Sequence, residues 1–112
     1  NASPIISSFT IFDNTTGSDN VTHINDNVSK LSITASDAFK VQYYYVSDNA
    51  SDNTSAANFT AFSSSGVSIS ENITYIFDNS TLTSGDNLTL YVWVKDNNSN
   101  VSAFGSDNIT YY

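Results

Sequence analysis

The sequence predicts an all-β fold, an antiparallel sandwich of about seven strands, and three observations carry that expectation. Apolar residues recur with period two and hardly anywhere with the 3.6-residue period of a helix. The apolar inventory is β-branched and aromatic, with seven Phe, seven Tyr and one Trp, types that suit a pleated surface. Short Asp, Asn, Ser and Gly clusters divide the apolar runs at intervals of roughly 8–12 residues, the rhythm of an all-β sandwich.

The elements follow in order. Ile5–Phe12 reads as the opening strand, with its inward face undecided. Leu31, Ile33 and Ala35 alternate with Ser32, Thr34 and Ser36 as in a half-covered strand. Residues 41–46 form a continuous apolar and aromatic run, as a more fully covered strand does. An extra edge strand fits residues 59–62, and Ile69, Ile73, Tyr75 and Phe77 mark the next. The clearest run is 87–95, where Leu88, Leu90, Val92 and Val94 share one face. Asn87, Thr89, Tyr91, Trp93 and Lys95 share the other, an aromatic outer stripe that either packs within the sandwich or stacks on a sugar or a neighbouring subunit. Ile109 and Tyr111 belong to the last strand. Turns are expected at 13–20, 47–55, 63–66, 84–87 and 96–100, where short polar side chains bond back to their own backbone.

Composition narrows the function classes. At 112 residues the chain is one domain, 1–112. Three Lys, no Arg and a net charge of -8 leave nothing to neutralise a phosphate backbone, which excludes a nucleic-acid binder. The absence of Cys excludes a disulfide framework and a thiol enzyme. No apolar run approaches the ~20 residues of a membrane helix, so no membrane insertion is expected. Disorder does not fit a chain that is 39% hydrophobic. No secretory leader opens the sequence, which reads as a mature product or an excised module.

A resemblance enters at Leu90-Tyr-Val-Trp-Val-Lys-Asp-Asn-Asn-Ser-Asn-Val-Ser102. This stretch resembles the penultimate hairpin of bacterial immunoglobulin-like (fibronectin III-like) extracellular repeats. There, a strand ending in Trp-x-Lys-Asp runs into a tight turn and then Asn-Val-Ser. The segment from Lys40 to Asn49, with Tyr44-Tyr45-Val46-Ser47, resembles their central strand. The resemblance covers about half the chain. It implies an immunoglobulin-like sandwich, found in tandem in large surface proteins and fibrils, and no shared activity.

The motif that carries chemistry is Asn-x-Ser/Thr. It occurs at Asn1, Asn14, Asn20, Asn27, Asn49, Asn53, Asn58, Asn72, Asn79, Asn87, Asn97, Asn100 and Asn108, 13 of the 15 Asn, where composition alone gives about four. Nine of these Asn follow an Asp, although the chain has only ten Asp, and every Asp-Asn pair opens such a motif. That coupling points to N-linked glycosylation with Asp-Asn-x-Ser/Thr as the acceptor. On a strand, residues i and i+2 share a face. The Asn and the hydroxyl then face solvent while x faces the core, and x is apolar in nine of the 13. Two readings compete. Asp-Asn pairs make good turns without any sugar. Asp96-x-Asn98-x-Asn100 has the spacing that opens a calcium loop, although Val101 stands where that loop needs Gly and Asp107 where it needs Glu.

An enzyme is not expected. His23 is the lone His and Glu71 the lone Glu, with no partner implied for either. An isopeptide bond from Lys30, Lys40 or Lys95 to an Asn or Asp near Glu71 has no recognisable motif. The sequence instead suggests a heavily N-glycosylated structural subunit or repeat of an extracellular fibril or surface layer, prokaryotic, assembling head to tail. Residues 4–12, an apolar segment after Pro4, would serve as an exchange or donor strand for the next copy. The alternative is a calcium-stiffened spacer repeat of a bacterial adhesin. The partners in either case are other copies of the chain and its own covalent glycans, with no cofactor besides a conceivable calcium.

Overall fold

The computed structural model describes residues 3–13, 23–24, 27–49, 59–77, 80, 82–98 and 100–111. Among them the fold is all-β. Six strands appear: β1 (Ile5–Phe12), β2 (His23–Ile24), β3 (Val28–Ser47), β4 (Thr60–Ile76), β5 (Asn87–Asp96) and β6 (Gly105–Tyr111). The seven expected runs are all extended, but two pairs of them are joined. The runs at 31–36 and 41–46 are halves of the 20-residue β3. Those at 59–62 and 69–77 lie along the 17-residue β4.

The long β3 organises the molecule. Its first half pairs with β1, from Ile5 opposite Ser36 to Phe12 opposite Lys30. Its second half pairs with β5, from Val41 opposite Asp96 to Ser47 opposite Tyr91. Strand β4 runs antiparallel along both halves, and β6 follows β5, giving the order β1-β3-β5-β6-β2 with β4 beside β3. The expected turn at 63–66 is corrected: those residues lie inside β4, where Gly66 sits opposite Val41 and the next pairs are Ala61 with Tyr43 and Thr60 with Tyr44. The mismatch is absorbed as register shifts between Ser36 and Val41 and between Val41 and Tyr43.

One pairing departs from the antiparallel expectation. β2 lies parallel to β6, with His23 opposite Thr110 and Ile24 opposite Tyr111. Two residues are too short to show a period, so nothing in the sequence announced this strand. Its effect is to bury Ile24 completely.

The interior has two centres. One gathers Ile33, Val41, Val92 and Val94, and the other Ile11, Leu31, Leu90 and Ile109, with Phe9, Val46 and Ile73 packed against both. Removing such a side chain from water stabilises the fold by about 1.5–3 kcal/mol each. The inward face of β5 is the one the alternation predicts, since Leu90, Val92 and Val94 are fully buried. The undecided face of β1 has a structural reason: a register shift between Ile6 and Ser8 breaks the alternation, and both Ile11 and Phe12 end up buried. β1 also crosses close to β6. A Cβ on Gly105 would lie 3.1 Å from Ile6 Cγ2, so any larger residue there would press on the Ile6 side chain.

Candidate functional site

Seven of the expected acceptor asparagines fall among the described residues: Asn27, Asn49, Asn72, Asn87, Asn97, Asn100 and Asn108. Asn1, Asn14, Asn20, Asn53, Asn58 and Asn79 lie outside them. The seven divide into two groups that the motif alone does not distinguish.

Asn49, Asn72, Asn87, Asn97 and Asn108 are exposed. Three of them stand on strands with the expected geometry. Asn72 and Thr74 face out from β4 while Ile73 packs against both cores. Asn108 is exposed on β6 and Ile109 beneath it is 1% exposed. Asn87 opens β5, with Leu88 turned toward the second core.

Asn27 and Asn100 are different. The Asn27 amide donates to the Phe77 carbonyl at 3.4 Å. Its motif hydroxyl, on Ser29, is buried and donates to the Tyr75 carbonyl at 2.9 Å. The Asn100 amide donates to Asp96 Oδ2 at 3.0 Å, and the buried Ser102 Oγ accepts the Val94 N–H at 3.0 Å. In both, the acceptor nitrogen and the hydroxyl are consumed by the fold. Both read Asn-Val-Ser, whereas the three strand acceptors end in Thr, none of which is buried. A serine hydroxyl is small enough to enter the interior, but Asn49 and Asn97, whose motifs also end in Ser, are exposed, so the hydroxyl residue alone does not separate the groups.

The Asp before the Asn has work of its own. Asp86 Oδ2 accepts the Thr83 N–H at 2.9 Å, closing the turn in which Gly85 takes φ 97°. Asp107 Oδ2 accepts the Ile11 N–H at 2.8 Å and so ties β6 to β1. Asp96 is fully buried where β5 ends; its Oδ1 accepts the N–H groups of Asn98 at 2.9 Å and Asn100 at 2.8 Å. Burial pushes the Asp96 carboxyl up. The hydrogen bonds from the Asn100 amide, the Asn100 and Asn98 N–H groups and the neighbouring Asp37 carboxyl outweigh this and hold it below its usual 3.8. The loop from Asp96 to Asn100 is therefore organised by donors converging on one carboxylate. Asn98 and Asn100 present nitrogen to it, which is not the convergence of oxygens that a linear calcium loop requires.

The remaining expectations also find their places. Trp93, on the outer face of β5, is only 6% exposed, between Tyr45 at 5.8 Å and Phe104 at 6.1 Å between centroids. The stripe thus packs within the domain, leaving Phe104 exposed at one end. Lys30 Nζ donates to Thr74 Oγ1 at 2.6 Å, Lys95 Nζ lies over the rings of Tyr43 and Phe59, and Glu71 accepts from Ser63 Oγ at 2.7 Å. A cleft of about 380 Å³ opens between Asp48, Tyr75, Phe77 and the start of β5. Asp48 is the one carboxylate lining it. Compared with family models, curated proteins and solved structures, the chain matches none. Among the described residues, no helix is long and apolar enough to cross a membrane.

Proposed function

We propose that this chain is a structural subunit or repeat of an extracellular fibril or surface layer, built on an immunoglobulin-like sandwich, coated with N-linked glycans and joined head to tail to other copies. The observation that carries the reading is the outward set of acceptors: Asn72, Asn87 and Asn108 are exposed on three different strands while the residue between each and its Thr turns inward. A sugar on any of them extends into solvent without disturbing the core. The charge of -8 adds mutual repulsion between glycan-coated surfaces and keeps them soluble. Such a coat excludes proteases and blocks nonspecific adhesion, and the absence of Arg leaves few tryptic sites.

The test is site-resolved glycopeptide mass spectrometry of native material. Asn49, Asn72, Asn87, Asn97 and Asn108 are expected to carry sugar, and Asn27 and Asn100 to be bare. An intact mass of 12.1 kDa, the bare polypeptide, would sink the proposal.

A further inference from the structure

Asn87 differs from the other outward asparagines in what lies beside it. The cleft of about 380 Å³ at the start of β5 is lined by Asn87 and Thr89, the first and last residues of one Asn-x-Thr motif. Asn72, on β4, is not among its lining residues. The rest of the lining comes from remote parts of the chain: Tyr75 near the end of β4, Phe77 just beyond it, and Asp48 just after β3, with Leu82 and Leu88 between them and the motif.

The lining sets the kind of ligand. The Tyr75 and Phe77 rings meet edge to face, 5.1 Å between centroids at 73°, and with the two leucines they make much of the cleft apolar. Asp48 is exposed and only accepts hydrogen bonds, whereas the Thr89 hydroxyl and the Tyr75 phenol both donate and accept. No Lys or Arg lines the cleft, so an anion finds no counter-charge there. A sugar ring is the complement of such a surface. Its C–H face suits an aromatic wall, and the hydroxyls around its edge suit a carboxylate and a threonine. The volume lies near the lower end of the roughly 300–1,000 Å³ of small-molecule sites, which suits a single sugar better than an oligosaccharide.

A free sugar loses translational and rotational freedom on entering a cleft. A sugar joined to Asn87 has already lost most of it, and its effective concentration there is about millimolar or higher. We infer that the first sugar of an Asn87-linked glycan lies in this cleft, its C–H face against Tyr75 and Phe77 and its hydroxyls toward Asp48. The rest of the glycan continues into solvent. The inference rests on the glycosylation reading above and goes one step beyond it: at Asn87 the sugar becomes part of the fold, whereas at Asn72 it is only a coat.

The experiment melts natively glycosylated wild type, Asn87→Gln and Asn72→Gln in a calorimeter, beside unglycosylated wild type and Asn87→Gln from a host without the transferase. Glycopeptide mass spectrometry establishes which sites are occupied. In glycosylated material Asn87→Gln should lower Tm by on the order of 5 °C, and Asn72→Gln by less than about 2 °C. Without sugar, Asn87→Gln should also change Tm by less than about 2 °C, as a surface substitution does. In NMR spectra of the glycosylated wild type, protons of the Asn87-linked sugar should give cross-peaks to the Tyr75 and Phe77 rings. With Asn87 occupied, three results overturn this inference alone and leave the coat standing: an equal effect of Asn87→Gln with and without sugar, an equal effect of Asn72→Gln, or no cross-peaks to the rings. A bare Asn87 in native material overturns the inference and removes Asn87 from the coat as well.

Discussion

The hydroxyls of the acceptor motif do two different jobs, and substitutions separate them. Ser102 Oγ is the acceptor for the buried Val94 N–H, and Ser29 Oγ bridges β3 to the Tyr75 carbonyl. Ser102→Ala leaves a buried donor unsatisfied and should cost about 1–3 kcal/mol in urea unfolding, with no change in glycan mass. Thr74→Ala should do the opposite. Its hydroxyl is exposed and bonds only the Lys30 ammonium, so stability should stay within about 0.5 kcal/mol while one glycan is lost from Asn72. A second residue-scale effect belongs to Tyr75. Burial, and then the Asp48 carboxylate, push its phenol above the usual 10.0. The folded chain therefore resists an ionisation that the unfolded chain accepts. This contribution is complete below pH 10 and is lost as pH rises through the higher native value. Between about pH 9 and about pH 11.5, the urea midpoint of Tyr75→Phe should fall less than that of the wild type. At this scale the Asn-x-Ser/Thr motifs were legible from count and spacing, because the motif is local. Which of them face inward was not, because Asn27 and Asn100 are decided by partners at Phe77 and Asp96.

Among the elements, strands with one covered face were the legible ones. The run at 87–95 alternates without a break and became β5 with one residue added. Joining of runs was hidden, since the polar, Ser-rich stretch 63–66 lies within one strand that pairs with β3 on either side of it, at Thr60 and Ala61 and from Gly66 onward. β4 is also the element most in need of its acceptor. Among the described strands it pairs with β3 alone, and its 17 residues include exposed Val67 and Ile76. A long unpaired edge with apolar side chains recruits other chains unless something blocks it. Asn72 is exposed midway between these two residues, where a glycan would prevent edge-to-edge pairing. In glycosylated material, Asn72→Gln should therefore increase concentration-dependent light scattering severalfold while leaving the melting temperature within about 2 °C, as for a surface change. Equal scattering from the two proteins would remove the edge-guarding role.

For the whole molecule, the question is whether β1 stays at home. It lies antiparallel to β3 within the chain, buries Ile11 and Phe12, and is pinned by Asp107 at the Ile11 N–H. The slot that an exchanged strand would fill in a neighbouring copy is thus the slot β1 already fills here, and head-to-tail exchange substitutes one set of identical contacts for another. Exchange of identical elements is a low-cost route to assembly, and a contact that does not close generates a filament. Truncating β1 would not test this, since it removes core residues from the monomer as well. A reversible lock does. Thr10 and Ser32 are opposed in the β1/β3 register, and opposed residues lie about 4.5–5.5 Å apart, within the Cα range of a disulfide. With Thr10→Cys and Ser32→Cys, the oxidised chain should remain monomeric by light scattering and electron microscopy, and adding reductant should restore filaments. The chain has no other cysteine, so the switch is specific to this pair. Filaments that form equally well with the disulfide closed would mean that copies meet through intact domains, and the role of residues 4–12 as a donor strand would fall while the glycan-coated surface stood.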